Sequence, residues 1–377
     1  MIKFDQLIQE RFKSIGGYAP GKPIKQAEAE SGIRMIKLAS NENPFGPSPL
    51  AVAAMQKAAA EANLYPDNEY PDLRRRVAEL HNMRPEEVIL GAGSTNLLEI
   101  ISKTLLAPGL NAVCSERSFI VYPIVVRATG AEYRTVPMKD DTFDLDAIAA
   151  AIDSNTRVVF ITNPNNPTGT IVDAPALDRL LARTPDHVTV ILDEAYYDFA
   201  EDFARRRKVE YSHSLDYVRA GRNVVVLRTM SKAQGLAGLR VGYGFAPADF
   251  AGYLTRARTV FTISAISEIA ALAALDDREH YRRTIENNVF GAEWLTEQLR
   301  SMGYKPATTW ANFIYCEVGE DAGALTKRIQ AEGVIVRPLN GVWGAPTAIR
   351  VTVGTPEQNR KFIEALKKVT TATAVHS

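Results

Sequence analysis

Between Val88 and Tyr243, short apolar runs alternate with stretches of helical periodicity, and this rhythm restricts the fold more than any other feature of the chain. The runs are Val88-Ile89-Leu90, Ala112-Val113-Cys114, Tyr133 to Val136, Val158 to Ile161, Val188 to Leu192, Val224 to Leu227 and Val241-Gly242-Tyr243. Each reads as a short buried strand. Strands that alternate with helices argue for a mostly parallel sheet covered on both faces. The expected class is therefore α/β, with a three-layer αβα large domain. Past Pro247 the texture changes. Helical patterns cover 248–259, 264–275, 278–302, 322–332 and 356–369, with strands near Phe313, Val334 and Ile349. That is a smaller α+β C-terminal domain. The expected division is an N-terminal arm and loop over 1–45, a large domain over 46–257 and a small domain over 258–377.

In such sheets ligands gather at the carboxyl ends of the strands, and the chemically loaded residues fall there. Asn163-Pro164-Asn165-Asn166-Pro167-Thr168-Gly169 follows one strand, and Asp193-Glu194-Ala195-Tyr196-Tyr197 ends another. Thr229-Met230-Ser231-Lys232 follows a third and runs on to Arg240. A lysine at the end of a buried strand, among small residues, is shielded from water. Desolvation lowers an ammonium pKa, and a neutral amine forms a Schiff base with an aldehyde. Thr229 and Ser231 offer hydroxyls to an anion, and Arg240 adds a fixed charge. After Val88-Ile89-Leu90 comes the turn Gly91-Ala92-Gly93-Ser94-Thr95-Asn96, with a helix expected over 97–106. A small-residue turn at a helix N-terminus suits a phosphate. With two glycines it is a poor dinucleotide fingerprint.

Composition narrows the classes. The chain has 377 residues, 46% hydrophobic and 23% charged, with zero formal net charge. No bulk field favours nucleic acid or an anionic membrane. No run is long enough for a membrane span, and Met1 to Asp5 lacks a signal-peptide apolar region. Two cysteines, Cys114 and Cys316, support neither a disulfide framework nor a thiolate metal site. The five histidines show no ligand spacing, so no metal is expected. The expectation is a cytoplasmic protein that binds neither nucleic acid nor membrane.

Taken together, these pieces resemble the fold type I pyridoxal-phosphate enzymes, and within them the histidinol-phosphate aminotransferases. The motifs at Asn163–Gly169, Asp193–Tyr196, Ser231–Arg240 and Val336-Arg337-Pro338-Leu339 with Arg350-Val351-Thr352-Val353-Gly354-Thr355 stand in family order and spacing. The arm Tyr18-Ala19-Pro20-Gly21-Lys22 and Ala39 to Pro44 point to the histidinol-phosphate branch. The resemblance implies pyridoxal 5'-phosphate as cofactor, bound to Lys232, with 46–257 as its domain. It implies that Asp193 pairs with the pyridine nitrogen, and that Tyr196 and Asn166 hydrogen-bond the ring oxygen. Phe119 would stack on the ring. Ser94, Thr95, Thr229, Ser231 and Arg240 would hold the phosphate. Tyr65 would reach the cofactor of a second subunit, in a homodimer with shared active sites. Tyr18, Asn43, Arg337 and Arg350 would bind substrate. The implied reaction passes an amino group from a small-molecule donor, L-histidinol phosphate, to a 2-oxo acid, 2-oxoglutarate, in histidine biosynthesis.

Two stretches depart from the family's pattern: Gln234 stands where relatives carry an aromatic, and Val260 to Ser264 replaces a Pro-Phe-Asn-Val stretch. By the resemblance both lie near the active-site entrance. Aromatic amino-acid transamination, phosphoamino-acid decarboxylation and cofactor binding without turnover remain alternatives on the same scaffold.

Overall fold

A computed structural model describes residues 3–13, 15 and 23–374. Its centre is a seven-stranded sheet in the order Val88–Gly91, Gly242–Phe245, Val224–Thr229, Thr189–Asp193, Thr156–Thr162, Asn111–Ser115 and Glu132–Val136. Gly242–Phe245 runs antiparallel to both neighbours, and the other pairings are parallel. The strands Val88–Gly91, Thr189–Asp193 and Val224–Thr229 are buried along their whole length, which is why their cores read as continuous apolar runs. Pairing brings Thr162 opposite Asp193 and Asp193 opposite Leu227. The carboxyl ends carrying the Asn163–Gly169 turn, Asp193 and Lys232 therefore lie side by side.

The helix expected over 97–106 begins earlier and spans Ser94–Leu105. The strand ends at Gly91; Gly93, at φ +81°, is the helix N-cap, and Ser94, Thr95 and Asn96 form the first turn. Leu97, Leu98, Ile100 and Ile101 bury the sheet-facing stripe. The earlier start places the amides of Ser94 and Thr95 at the positive end of the helix.

The smaller unit is built on a four-stranded antiparallel sheet, Lys305–Pro306, Phe313–Glu317, Ala348–Thr352 and Arg337–Pro338 in that order. The helices Arg278–Ser301, Ala322–Ala331 and Pro356–Ala374 accompany it. Both expected domain limits need correction. Ala270, Ala271 and Ala274 of helix Ala265–Asp276 sit in the large-domain core, against Pro49–Ala58. A limit at 258 is too early, and Asp277, which caps Arg278–Ser301, is the better one. The segment 1–45 is not a separate arm throughout. Ile36–Lys37 pairs with Val334–Ile335, and Leu38 joins the small-domain core. No helix among the described residues is long and apolar enough to cross a membrane.

Candidate active site

One cavity at the carboxyl end of the large sheet gathers Ser94, Thr95, Phe119, Asn166, Asp193, Tyr196, Thr229, Ser231, Lys232, Arg240, Arg337 and Arg350. At its anion end, Thr229 Oγ1 donates to Ser231 Oγ at 2.9 Å, and Arg240 Nη1 donates to the same Ser231 oxygen at 3.3 Å. The N-cap of the adjoining helix is Gly93, which offers the first-turn amides no side chain. Glycines let the walls of this end approach closely. A Cβ on Gly93 would fall 2.3 Å from Arg240 Nη2, and one on Gly242 would fall 2.4 Å from Ser94 N. Hydroxyls, first-turn amides and a guanidinium converging on one end of the cavity fit a phosphate.

Asp193, 2% exposed, lies deeper. Tyr122 Oη donates to its Oδ2 at 2.9 Å, and the Ala195 amide donates to Oδ1 at 3.3 Å. Burial pushes the Asp193 carboxyl up to about 6, against the lowering pull of the Tyr122 hydrogen bond. A buried carboxyl of this kind fits a partner that carries a proton, such as a ring nitrogen. The folded value lies above the unfolded one, so between about pH 4 and 6 the native state holds protons that the unfolded state has lost. Stability is then lost as pH rises through that window. In ligand-free protein, Asp193→Asn is expected to gain stability over wild type across it, by up to roughly 3 kcal/mol. Chemical denaturation of both proteins at pH 4 and 6.5 checks this; a difference that does not change with pH contradicts it.

Lys232 is partly buried. Burial, with Arg350 close by, lowers its ammonium to about 8. Its Nζ donates to the Asn41 carbonyl at 3.2 Å. Tyr196, 4% exposed, lies with its ring 5.6 Å from Nζ. Phe119 is half-buried on the wall and packs edge-on against Tyr122. Arg350 hydrogen-bonds Asn166 Oδ1 through Nη1 and the Ala39 carbonyl through Nη2, the latter at 3.0 Å. Arg337 is the direct cross-strand partner of Arg350, and its Nε is buried with no hydrogen-bond partner.

Three expected site residues are placed otherwise. Tyr18 lies outside the described residues. Tyr65 is 81% exposed, away from the cavity, and stacks on Phe261 at 4.6 Å. Asn43 does not line the cavity; its amide donates to the Ala233 carbonyl at 2.9 Å and to Thr284 Oγ1 at 3.0 Å, so it braces the lysine loop. Sequence reasoning missed Asn41, Tyr122 and Trp343. Tyr122 falls one helical turn after Phe119, the only signal that pointed to it. Neither departure from the family pattern touches the cavity. Gln234 is buried behind it, holding the Ser48 amide through its carbonyl, and Val260 and Phe261 are on the surface beside Tyr65.

Residues 33–366 match the model of the family described as aminotransferase class I and II. The chain is 46% identical to a histidinol-phosphate aminotransferase of Akkermansia muciniphila, over 98% of this chain and all of that one. It is 43% identical to histidinol-phosphate aminotransferase 2 of Pseudomonas aeruginosa, over 98% and 99%. Among solved structures, it resembles a histidinol-phosphate aminotransferase of Sinorhizobium meliloti in complex with pyridoxal-5'-phosphate. The TM-score is 0.88 with 26% identity, covering 97% of this chain and 98% of that one. With an amine, a buried acid and a phosphate cradle converging on one cavity, the chain belongs to the class I and II aminotransferases, in their histidinol-phosphate aminotransferase branch.

Proposed function

We propose that this pyridoxal-phosphate-dependent aminotransferase moves the amino group of L-histidinol phosphate to 2-oxoglutarate, yielding imidazole-acetol phosphate and glutamate. The observation that supports this substrate is the cross-strand pair Arg337 and Arg350 at the cavity wall. Like charges placed directly opposite are destabilising. An anion between them turns that repulsion into two sets of charge-assisted hydrogen bonds. A dianionic phosphate can take both, and the distal carboxylate of glutamate can take its place in the other half-reaction.

The cofactor, when bound, supplies an aldehyde for amine capture and a ring that accepts the electron pair released at the substrate Cα. The chain's residues do the rest. Lys232 supplies the amine, and its lowered ammonium pKa keeps a neutral fraction available near neutral pH. The same nitrogen would take the proton from the substrate Cα and deliver it to the cofactor carbon that had been the aldehyde. Asp193 holds a proton at the ring nitrogen. Tyr196 and Asn166 serve the ring oxygen, and Phe119 covers a ring face. The Ser94 and Thr95 amides, Thr229, Ser231 and Arg240 hold the phosphate.

The enzyme works as a homodimer. Supporting this are exposed Leu64, Tyr65 and Val260, at 60%, 81% and 65% exposure, around the stacked Tyr65–Phe261 pair. A second copy would cover this patch and bring Tyr65 to its own cavity. Mixing Lys232→Ala and Tyr65→Phe subunits tests it: hybrids regain a site of near-normal activity, and failure to complement rejects the shared site. The substrate is tested by kcat/KM for a panel of amino donors with 2-oxoglutarate. Histidinol phosphate is expected to lead the panel; a preference for phenylalanine or tyrosine overturns the assignment.

A further inference from the structure

Asn41 is 1% exposed and takes the left-handed conformation at φ +55°, which asparagine tolerates better than most residues other than glycine. All its polar groups are engaged, on both sides of the domain division. Its backbone amide donates to Thr352 Oγ1 at 2.9 Å, and that hydroxyl donates back to Asn41 Oδ1 at 3.3 Å. This exchange fixes the side-chain amide, because with Oδ1 facing Thr352 the NH2 faces Tyr196. Asn41 Nδ2 donates to Tyr196 Oη at 2.9 Å. The carbonyl accepts from Asn312 Nδ2 at 3.1 Å and from Lys232 Nζ at 3.2 Å.

Thr352 and Arg350 alternate along one strand and face the same side. Arg350 grips the Ala39 carbonyl, Thr352 grips Asn41, and the Thr352 amide bonds the Leu38 carbonyl. The segment 38–41 is thus mounted on the strand that carries the anion-binding arginine. Its tip reaches across to the lysine and the tyrosine of the large domain.

We propose that Asn41 is a positioning residue of the transamination: its amide aims the Tyr196 hydroxyl, its carbonyl holds the Lys232 amine, and its mounting ties both to the Arg350 strand. Donation from Asn41 occupies a lone pair of the Tyr196 oxygen and turns the phenolic proton away from Asn41. The same donation polarises the O–H and strengthens the hydrogen bond it gives. The carbonyl restricts where the amine rests between taking and delivering a proton. This inference rests on the reading of Lys232 as the cofactor's amine.

Asn41→Gly tests it, since glycine adopts this φ without strain and keeps the carbonyl while deleting the amide. Kcat is expected to fall about 10- to 100-fold, the scale of a misplaced proton-transfer group. KM for the donor stays within about threefold. With Cα-deuterated donor, the isotope effect on kcat rises, because proton transfer becomes more rate-limiting. The visible absorption band of the Lys232-bound cofactor shifts before any donor is added. Thr352→Val, which leaves the Asn41 side chain in place but untethers it, gives a smaller change in the same direction. The proposal is overturned if Asn41→Gly keeps kcat within about twofold. It is equally overturned if activity falls only with the folded fraction, isotope effect and band unchanged. Borohydride labelling separates the two readings. A label on Lys232 in wild type and variant with unchanged kinetics rejects Asn41 alone, and no label on Lys232 in wild type rejects both.

Discussion

Lys232→Ala is expected to lower kcat/KM by at least about 10⁴-fold while leaving the fold intact. The side chain has two jobs at one place, covalent capture of the cofactor and proton transfer at Cα, and general acid–base catalysis alone is worth about 10²–10⁴-fold. The variant should still bind pyridoxal 5'-phosphate, because the Thr229, Ser231 and Arg240 cradle and Asp193 remain. Its stability should not fall, since removing an amine whose charge is opposed by burial and by Arg350 relieves a cost in the ligand-free protein. Single-turnover assays and thermal unfolding check both halves. Residual turnover within about a hundredfold of wild type would mean that another group moves the proton.

The second large effect is at the anion end. Arg337→Ala is expected to lower kcat/KM for histidinol phosphate by about 10²–10⁴-fold, from losing two or so charge-assisted hydrogen bonds at about 1.5–3 kcal/mol each. It should change kcat/KM for phenylalanine only a few-fold, because a neutral side chain gives Arg337 no anion to bind. Arg350→Ala should damage both substrates, since that arginine also holds Asn166 and the Ala39 carbonyl. Deleting one of two facing like charges should leave thermal stability of the Arg337 variant unchanged or higher. Steady-state kinetics with both donors decide. A mild effect of Arg337→Ala on histidinol phosphate, with phenylalanine preferred by wild type, would identify an aromatic aminotransferase.

Much of this site was legible in the chain because parallel strands end abruptly. Asp193 and Thr229 are the last residues of strands whose cores are apolar runs, and a residue at that place in an α/β sheet faces the ligand crevice. The aminotransferase assignment came from motif order and from relatives over nearly the whole chain. What could not be read depended on backbone turns and on partners distant in sequence. Asn41 and Asn43 are equivalent as letters. The left-handed turn at Asn41 sends that residue inward and leaves Asn43 to brace Ala233. Helix Ala265–Asp276 has alanines over much of its surface, so its periodicity does not tell which core it joins. Ser94 reads as part of a turn because serine caps helices as readily as it begins them. Its place in the first turn follows from Gly93 at φ +81°. Within one chain Tyr65 only stacks on Phe261 at the surface, so the structure of a single chain gives its letter no further meaning.

The most direct measurement is to reduce the cofactor-loaded protein with borohydride and identify the modified peptide by mass spectrometry. One pyridoxyl group per chain, on Lys232, is the expected result. A label on any other lysine, or none on a protein saturated with cofactor, would contradict it.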